Sequence, residues 1–224
     1  YPMIKATDWV RNPEGKIIVD PVTGLPKAGD IVAVGTSDPT VRIGLNSVMK
    51  WKGFSLAATF DYRGGHYTRP SSEYNMLFTG ASYISGISGR QRFVFPNSVI
   101  EETDASGNVT YRENTDITVN DAGKTFWNGI YKQGRANQII SAASWRLREL
   151  SLGYDVPKKY LKKVGFLQRA SVSLVGRNLF MWTPSTNIWG DPDFTGSGNG
   201  NVGGFSGTNN VGQRSYGFNL LLSF

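Results

Sequence analysis

Few residues in this chain are of types that support catalysis or metal binding. Its 224 residues include a single histidine, His66, and no cysteine, which excludes a thiol nucleophile, a disulfide framework and a cysteine-based zinc site. The acids Glu101 and Glu102 stand together in a polar stretch, and residues 191–193 (Asp-Pro-Asp) resemble the start of a calcium loop without its spacing or closing glutamate. No G-x-S-x-G, phosphate-loop or H-E-x-x-H motif occurs. We therefore expect no enzyme, no metal and no cofactor.

The positive charge of the chain is local. The net charge is +7, but the stretch 141–170 alone carries seven Lys and Arg residues against two acidic ones. No DNA- or RNA-binding motif accompanies this charge, so we expect no nucleic-acid partner. The lysines at 158–163 are interpreted as a solvated turn or as a contact with anionic lipid headgroups.

The composition is unusual for a soluble enzyme. Charged residues make up 18% of the chain, against roughly 25% in typical soluble domains, and there are 27 glycines, 12 Phe, 10 Tyr and 6 Trp. No apolar run of about 18 residues exists, so a transmembrane helix is not predicted. The first residues, Tyr-Pro-Met-Ile, lack the features of a signal peptide, and we expect the chain to be preceded by further sequence.

Apolar residues recur with a period of two, which predicts strands. Five segments of this kind occur, at 41–51, 54–63, 144–154, 169–182 and 215–224. The parity of the apolar positions switches near Arg148 and Glu149, which predicts a β-bulge there. A tight turn with a glycine at Gly53 is expected between the first two segments.

The connections between these strands alternate between short and long. Loops beyond about 12 to 15 residues are uncommon in compact soluble domains, whereas outer-membrane barrels combine short periplasmic turns with long extracellular loops. The strand lengths and the aromatic residues near the strand ends fit the same architecture. We predict an all-β fold, a transmembrane antiparallel β-barrel of which the chain holds only about five C-terminal strands. Five strands cannot close a barrel, so the remaining strands must lie in the same polypeptide or on another chain.

Three stretches resemble the SusC/RagA family of TonB-dependent outer-membrane transporters. The first runs from Asp38-Pro39 through Trp51-Lys52-Gly53-Phe54-Ser55-Leu56 to Phe60-Asp61-Tyr62-Arg63-Gly64-Gly65. The second is the segment 145–158, WRLRELSLGYDVPK. The third comprises Gly176-Arg177-Asn178-Leu179-Phe180, Asp191-Pro192 and the segment 214–224 that ends at Phe224. Trp51 and Glu149 depart from the family pattern, which has Tyr and Asn at these positions.

The resemblance implies that the chain is the C-terminal part of such a transporter, in the outer membrane of a Gram-negative bacterium. It would import oligosaccharides or peptides together with a SusD-like surface lipoprotein, driven by TonB. Its other partners would be the rest of the barrel and its plug, and outer-membrane lipid including lipopolysaccharide. The expected segments are 1–40, an extracellular-side hairpin; 41–67, a transmembrane hairpin; 68–142, a long extracellular loop; 143–182, two strands with a Lys-rich periplasmic turn; 183–212, a Gly-rich extracellular loop; and 213–224, the terminal strand.

The candidate site residues fall into three groups. Aromatic residues in or beside the Gly-rich loop are candidates for substrate contacts: Trp182, Trp189, Phe194 and Phe205. The alternating residues of the last strand are candidates for a barrel-assembly signal: Tyr216, Phe218, Leu220, Leu222 and Phe224. Charged strand residues are expected to face the barrel lumen, because a charge facing lipid is costly: Arg42, Lys50, Asp61, Arg63 and Arg177.

Two alternatives remain open at this point. A SusC-like barrel can anchor a surface or secretion complex instead of importing nutrient, and a missing plug or TonB-binding segment would favour that role. A soluble β-sandwich explains the alternation equally well but leaves the unequal loop lengths unexplained.

Overall fold

The computed structural model describes residues 3–89, 91–119, 124–163, 165–193, 205–206 and 212–224. The strands within these residues are β1 (Met3–Trp9), β2 (Ile17–Val19), β3 (Ala28–Thr36), β4 (Val41–Trp51), β5 (Phe54–Gly64), β6 (Tyr67–Pro70), β7 (Phe93–Val94), β8 (Ser98–Thr103), β9 (Val109–Glu113), β10 (Thr118–Val119), β11 (Ile140–Ser141), β12 (Ser144–Asp155), β13 (Arg169–Trp182), β14 (Phe205–Ser206) and β15 (Ser215–Ser223). The helices are α1 (Ser71–Phe78), α2 (Lys124–Asn128), α3 (Lys158–Leu161) and the 3₁₀ helices Tyr83–Gly86 and Ile130–Gln138.

The described residues form two compact units. The sheet unit comprises residues 38–66, 141–193 and 212–224, and the mixed unit comprises residues 3–37, 67–140 and 205–206.

The sheet unit is built on one five-stranded sheet in the order β15-β13-β12-β5-β4. Every neighbouring pair is antiparallel. The five strands expected from the period of two are therefore present, and their bounds differ from the expected ones by at most one residue. The all-β prediction is confirmed at this level, with β4 and β15 as the outer strands of the described sheet.

The turn and the bulge follow from local backbone geometry. Lys52 and Gly53 connect β4 to β5 with φ values of 48° and 92°. A two-residue hairpin turn of type I′ requires positive φ at both of its central residues. The register between β12 and β5 shifts between Leu147 and Glu149, which places Arg148 in a bulge. The predicted bulge is thus confirmed, and it lets Arg148 and Glu149 project from the same side of the strand.

Residues 68–142 were expected to form one loop; of these, residues 68–140 contain short strands and helices that pack with residues 3–37 in the mixed unit. β1 pairs antiparallel with β3, while β2 pairs in parallel with β8, which in turn pairs with β9. These elements enclose an aromatic-rich core that includes Trp9, Val19, Phe95, Ile100 and Phe126. A stretch that is polar on average can still bury a core, because the few apolar residues come from segments far apart in sequence.

A buried carboxyl group lies in α1 of the mixed unit. Glu73 is 6% exposed, and Tyr131 donates a hydrogen bond of 2.5 Å to its Oε1, whereas its Oε2 has no hydrogen-bond partner. Burial raises the pKa of Glu73 to about 7, although the hydrogen bond from Tyr131 and the charge of Arg69 act in the opposite direction. Glu73 is therefore a group whose protonation depends on folding.

No helix in the described part of the chain combines the length and the apolar character needed to span a membrane.

Candidate functional site

The strand register divides the sheet into two chemically different faces. Residues paired across neighbouring strands lie on the same face, so the face of any one residue follows from its partners. The polar face carries the charged positions of β4, β5 and β12, whose pairs include Arg42 with Arg63 and Asp61 with Arg146. The apolar face carries the residues between them. Its members include Ile43, Leu45, Met49, Leu56, Phe60, Leu150, Leu152, Val172, Leu174, Phe218, Leu220 and Leu222.

The apolar face is exposed, and aromatic residues stand at both of its ends. Leu220 is 58% exposed and Trp51 is 68% exposed. At one end Phe54 lies 4.5 Å from Tyr154, and at the other Tyr62 lies 4.7 Å from Trp145, measured between ring centroids. Eight residue steps of β5 separate the two aromatic ends, about 26 Å along the strand at ~3.3 Å per residue. An exposed apolar surface of this extent is unusual for a soluble monomer.

An arginine and an aspartate form a bidentate ion pair on the polar face. Arg146, whose side chain is 7% exposed, donates two hydrogen bonds to the carboxylate of Asp191, one of them 2.7 Å long. Its Nε also lies 3.3 Å from Asp193. Paired N–H groups matched to both carboxylate oxygens give the most directional ion pair available to side chains. Because Asp191 and Asp193 follow β13, this pair holds the segment after β13 against the middle of the sheet.

Two further arginines extend the pair into a network. Arg148 donates to Asp61 at 2.7 Å and to Asp193 at 2.9 Å. Arg63 lies 3.3 Å from Asp61 and 3.4 Å from Asp193. The network, which we call the Arg-Asp network, comprises Arg63, Arg146, Arg148, Asp61, Asp191 and Asp193. Its formal charges balance, which makes the desolvation of each member tolerable.

Backbone irregularities aim Arg148 into this network. Opposite Arg148, β13 carries two residues, Asn178 and Leu179, where β12 carries one. Asn178 adopts a φ of 52°, a left-handed conformation that asparagine tolerates better than most residues. Bulges commonly re-aim a side chain near a functional site, and this one places Arg148 within reach of both aspartates.

A cavity of about 300 Å³ adjoins the Arg-Asp network. Arg148, Asn178, Asp191, Asp193 and Arg214 are among the residues that line it. The guanidinium of Arg214 lies 6.0 Å from the ring of Phe180 and forms no ion pair within the described residues. The cavity is suited to bind polar or charged groups by hydrogen bonding.

The electrostatics of Asp191 show how strongly the network holds its charge. Burial is the largest single influence and acts to raise the pKa of Asp191, but the hydrogen bonds from Arg146 and from the Asp193 backbone N–H, together with the charges of Arg146 and Arg148, outweigh it and hold the pKa below its ordinary value. Asp191 therefore stays charged at neutral pH, and its ion pair with Arg146 holds the segment after β13 against the sheet.

The structure distributes the predicted site residues as follows. The five charged residues expected to face the lumen, Arg42, Lys50, Asp61, Arg63 and Arg177, share the polar face by register. Arg177 donates to Glu149 at 2.9 Å, whereas Arg42 and Lys50 form no ion pair within the described ranges.

The residues proposed for assembly lie on the apolar face or at its end. Tyr216, Phe218, Leu220 and Leu222 pair with Gly176, Leu174, Val172 and Ala170 of β13. The ring of Phe224 stacks on that of Phe166 at 5.9 Å. Their role in assembly stays a prediction.

The aromatic substrate candidates belong to different elements of the chain. Trp182 lies on the apolar face, opposite Trp145, with its ring 5.9 Å from Phe180. Trp189 is half-buried in the segment after β13. Phe205 belongs to β14 of the mixed unit, and Phe194 lies outside the described residues. Substrate contact by these residues stays a prediction.

The residues that the sequence did not single out as a site are Arg146, Arg148, Asp191 and Asp193. Alternation of polar and apolar residues along 144–147 places Arg146 on the polar face, and this pattern was the sequence signal that could have identified Arg146. The two aspartates carried a weak calcium pattern, but their oxygens accept hydrogen bonds from arginine instead. His66 is buried, and its Nδ1 has no hydrogen-bond partner in the described residues.

Comparison with solved structures identifies proteins that contain a similar fold. The RagAB peptide importer in its closed-closed state matches with 18% identity and a TM-score of 0.58, over 100% of this chain and 23% of that chain. The chain has the fold of a segment of that importer. The RagAB peptide transporter matches with 17% identity and a TM-score of 0.57, over 100% and 23%, and the open-open importer with 19% and 0.57, over 100% and 22%. The resemblance to the SusC/RagA family is thereby confirmed at the level of the fold.

The chain spans about a quarter of the length of the chains it matches. No family model and no curated protein matches it.

Proposed function

We propose that the chain is part of the wall of an outer-membrane β-barrel that imports peptides or oligosaccharides, a SusC-like TonB-dependent transporter. The observation that carries this proposal is the two-faced sheet. An exposed apolar face bounded by aromatic residues at both ends suits lipid, with the rings at headgroup level. A polar face with a neutralised charge network suits the interior of the same barrel.

Arg42, Lys50, Asp61, Arg63 and Arg177 then face the lumen. The Arg-Asp network fastens residues 183–193 of the extracellular loop to the inner wall of the barrel. A loop held in this way presents fixed side chains to a solute passing from outside, which is how binding residues on loops acquire defined positions.

The remaining strands and a plug are required to complete the transporter. The open edges of β4 and β15 leave backbone groups that must pair with other strands in lipid. The fold likeness to RagAB structures supports a SusD-like surface lipoprotein as a partner, with TonB supplying energy from the periplasm. The protein is proposed to reside in the outer membrane, with Trp182, Trp189, Phe194 and Phe205 as candidate substrate contacts and β15 as the assembly signal.

The test is purification of the intact protein from detergent-solubilised outer membrane, followed by native mass spectrometry and an uptake assay in cells. We expect a complex that contains a lipoprotein, and uptake of labelled peptides or oligosaccharides that stops when the proton gradient is collapsed. A complex that assembles but supports no uptake of either substrate class would favour the anchoring role. Recovery of the protein without detergent would contradict both roles.

A further inference from the structure

The end of the sheet that holds the Lys52–Gly53 turn also gathers the lysines of the β12–β13 connection. Backbone hydrogen bonds join the three chain segments there: Asp155 N donates to Gly53 O at 2.8 Å, and Gln168 N donates to Ser223 O at 2.8 Å. The cationic side chains at this end, which we call the basic end, are Lys52, Lys158, Lys159, Lys162, Lys163 and Arg169.

The charge of the basic end is largely unneutralised. Asp155 is the only acidic residue between positions 155 and 170, and it pairs with Arg169 at 3.4 Å. The four lysines at 158–163 are exposed and form no ion pair within the described part of the chain. The basic end therefore keeps most of its positive charge available for a negatively charged ligand.

Exposed aromatic rings border the same charges. Phe166 is 62% exposed and stacks on Phe224, while Tyr160 carries the ammonium of Lys159 over its ring at 4.7 Å. Trp51 marks where the apolar face ends. Apolar face, aromatic rings and lysines thus follow one another along the strand direction. A lipid molecule presents acyl chains, glycerol region and headgroup phosphate in that same order.

From this order we infer that the basic end binds the headgroups of anionic phospholipids of one membrane leaflet. A groove lined by Lys52, Lys158, Gln168 and Arg169 offers donors to a phosphate, and the neighbouring rings cover the start of the acyl chains. A lipid uses both the charges and the adjoining apolar face, which distinguishes it from free phosphate. The inference rests on the proposed membrane location of the sheet and goes beyond it by assigning a ligand to one end.

The test uses the full protein, purified in detergent, delipidated and titrated with phosphatidylglycerol or phosphatidylcholine while native mass spectrometry counts retained lipids. The variant replaces Lys158, Lys159, Lys162 and Lys163 with Gln. Because each lysine near a charged lipid contributes about 1 kcal/mol, or about fivefold in affinity, we expect the variant to lose at least tenfold in apparent affinity for phosphatidylglycerol. Affinity for phosphatidylcholine should be unchanged.

The matched control removes four lysines of the mixed unit, Lys5, Lys16, Lys27 and Lys124, and should change phosphatidylglycerol retention less than twofold. Equal retention by wild type and the 158–163 variant would overturn the inference while leaving the barrel intact. Loss of the phosphatidylglycerol preference on adding millimolar inorganic phosphate would assign the site to free phosphate and also overturn it. Absence of any retained lipid, with either headgroup, would overturn the proposed membrane location as well.

Discussion

Replacing Asp191 with Asn should release the segment after β13 from the sheet. The substitution preserves side-chain shape and keeps the acceptor for the Asp193 backbone N–H, which bonds Asp191 at 2.9 Å. It removes the charge that pairs with the bidentate guanidinium of Arg146. The substitution should affect only the contact between this segment and the sheet, because β12 and β13 retain their backbone pairing.

The size of the expected change in the opening free energy follows from the burial and the contacts of the Arg146–Asp191 pair. A hydrogen bond to a charged group contributes about 1.5 to 3 kcal/mol, and Asp191 accepts two of them from Arg146. The ion pair between Arg146 and Asp193, at 3.3 Å, remains and offsets part of the lost stabilisation. We therefore expect opening of residues 183–193 to become easier by about 2 to 3 kcal/mol, or about 30- to 150-fold in the opening equilibrium.

Hydrogen exchange measured by mass spectrometry reports this opening directly. The amides of Asn187 and Trp189 are suitable probes, because both are hydrogen-bonded within the segment. The control is Asp155→Asn, which breaks an exposed pair with Arg169 at 3.4 Å and should change exchange of these probes by less than twofold. If Asp191→Asn accelerates exchange no more than the control does, the Arg-Asp network does not hold the segment against the sheet.

Three further predictions concern the mixed unit and the last strand. Because the folded pKa of Glu73, about 7, exceeds its ordinary value of 4.5, the contribution of Glu73 to stability should be most favourable below pH 4.5 and become less favourable by about 3 kcal/mol up to pH 7. Glu73→Gln should abolish this part of the pH dependence of hydrogen exchange in α1. Gly134→Ala should destabilise the unit by about 2 kcal/mol in thermal unfolding, because its Cβ would collide with the indole of Trp9, whereas Gly86→Ala meets no atom within 4 Å and should not. Phe224→Ala should lower the amount of folded barrel in the outer membrane, seen by heat-modifiable gel mobility, without lowering synthesis; unchanged amounts would argue against an assembly role.

The strands of the sheet unit were predictable because each has one polar and one apolar face. Strict alternation is a local pattern, so β13 could be bounded from its own residues alone. The bulge at Arg148 was visible for the same reason, as a change of parity. Where one face is not apolar, this signal disappears, which is why the short strands within 68–142 were not predicted.

The Arg-Asp network was harder to predict because it depends on contacts between distant residues. Arg146 and Asp191 are 45 positions apart, and nothing in the intervening sequence fixes which aspartate meets which arginine. The parallel pairing of Ile17–Val19 with Ser98–Ile100 is non-local in the same way. Faces of strands can therefore be assigned from the sequence, whereas partners across long connections require the fold.

We propose that the apolar face of the sheet meets lipid and that the polar face meets water. These 224 residues contain no cysteine, so single cysteines introduced among them can be labelled in intact outer membranes and compared with the parent protein that lacks the added cysteine. The apolar-face positions are Leu152, Leu174 and Leu220, and the polar-face positions are Ser151, Ser173 and Asn219. We expect cysteines at the three apolar-face positions to react with a reagent dissolved in the hydrocarbon phase and to resist a membrane-impermeant maleimide. The opposite result is expected at the three polar-face positions. Equal labelling of both sets by the impermeant reagent would contradict the proposal.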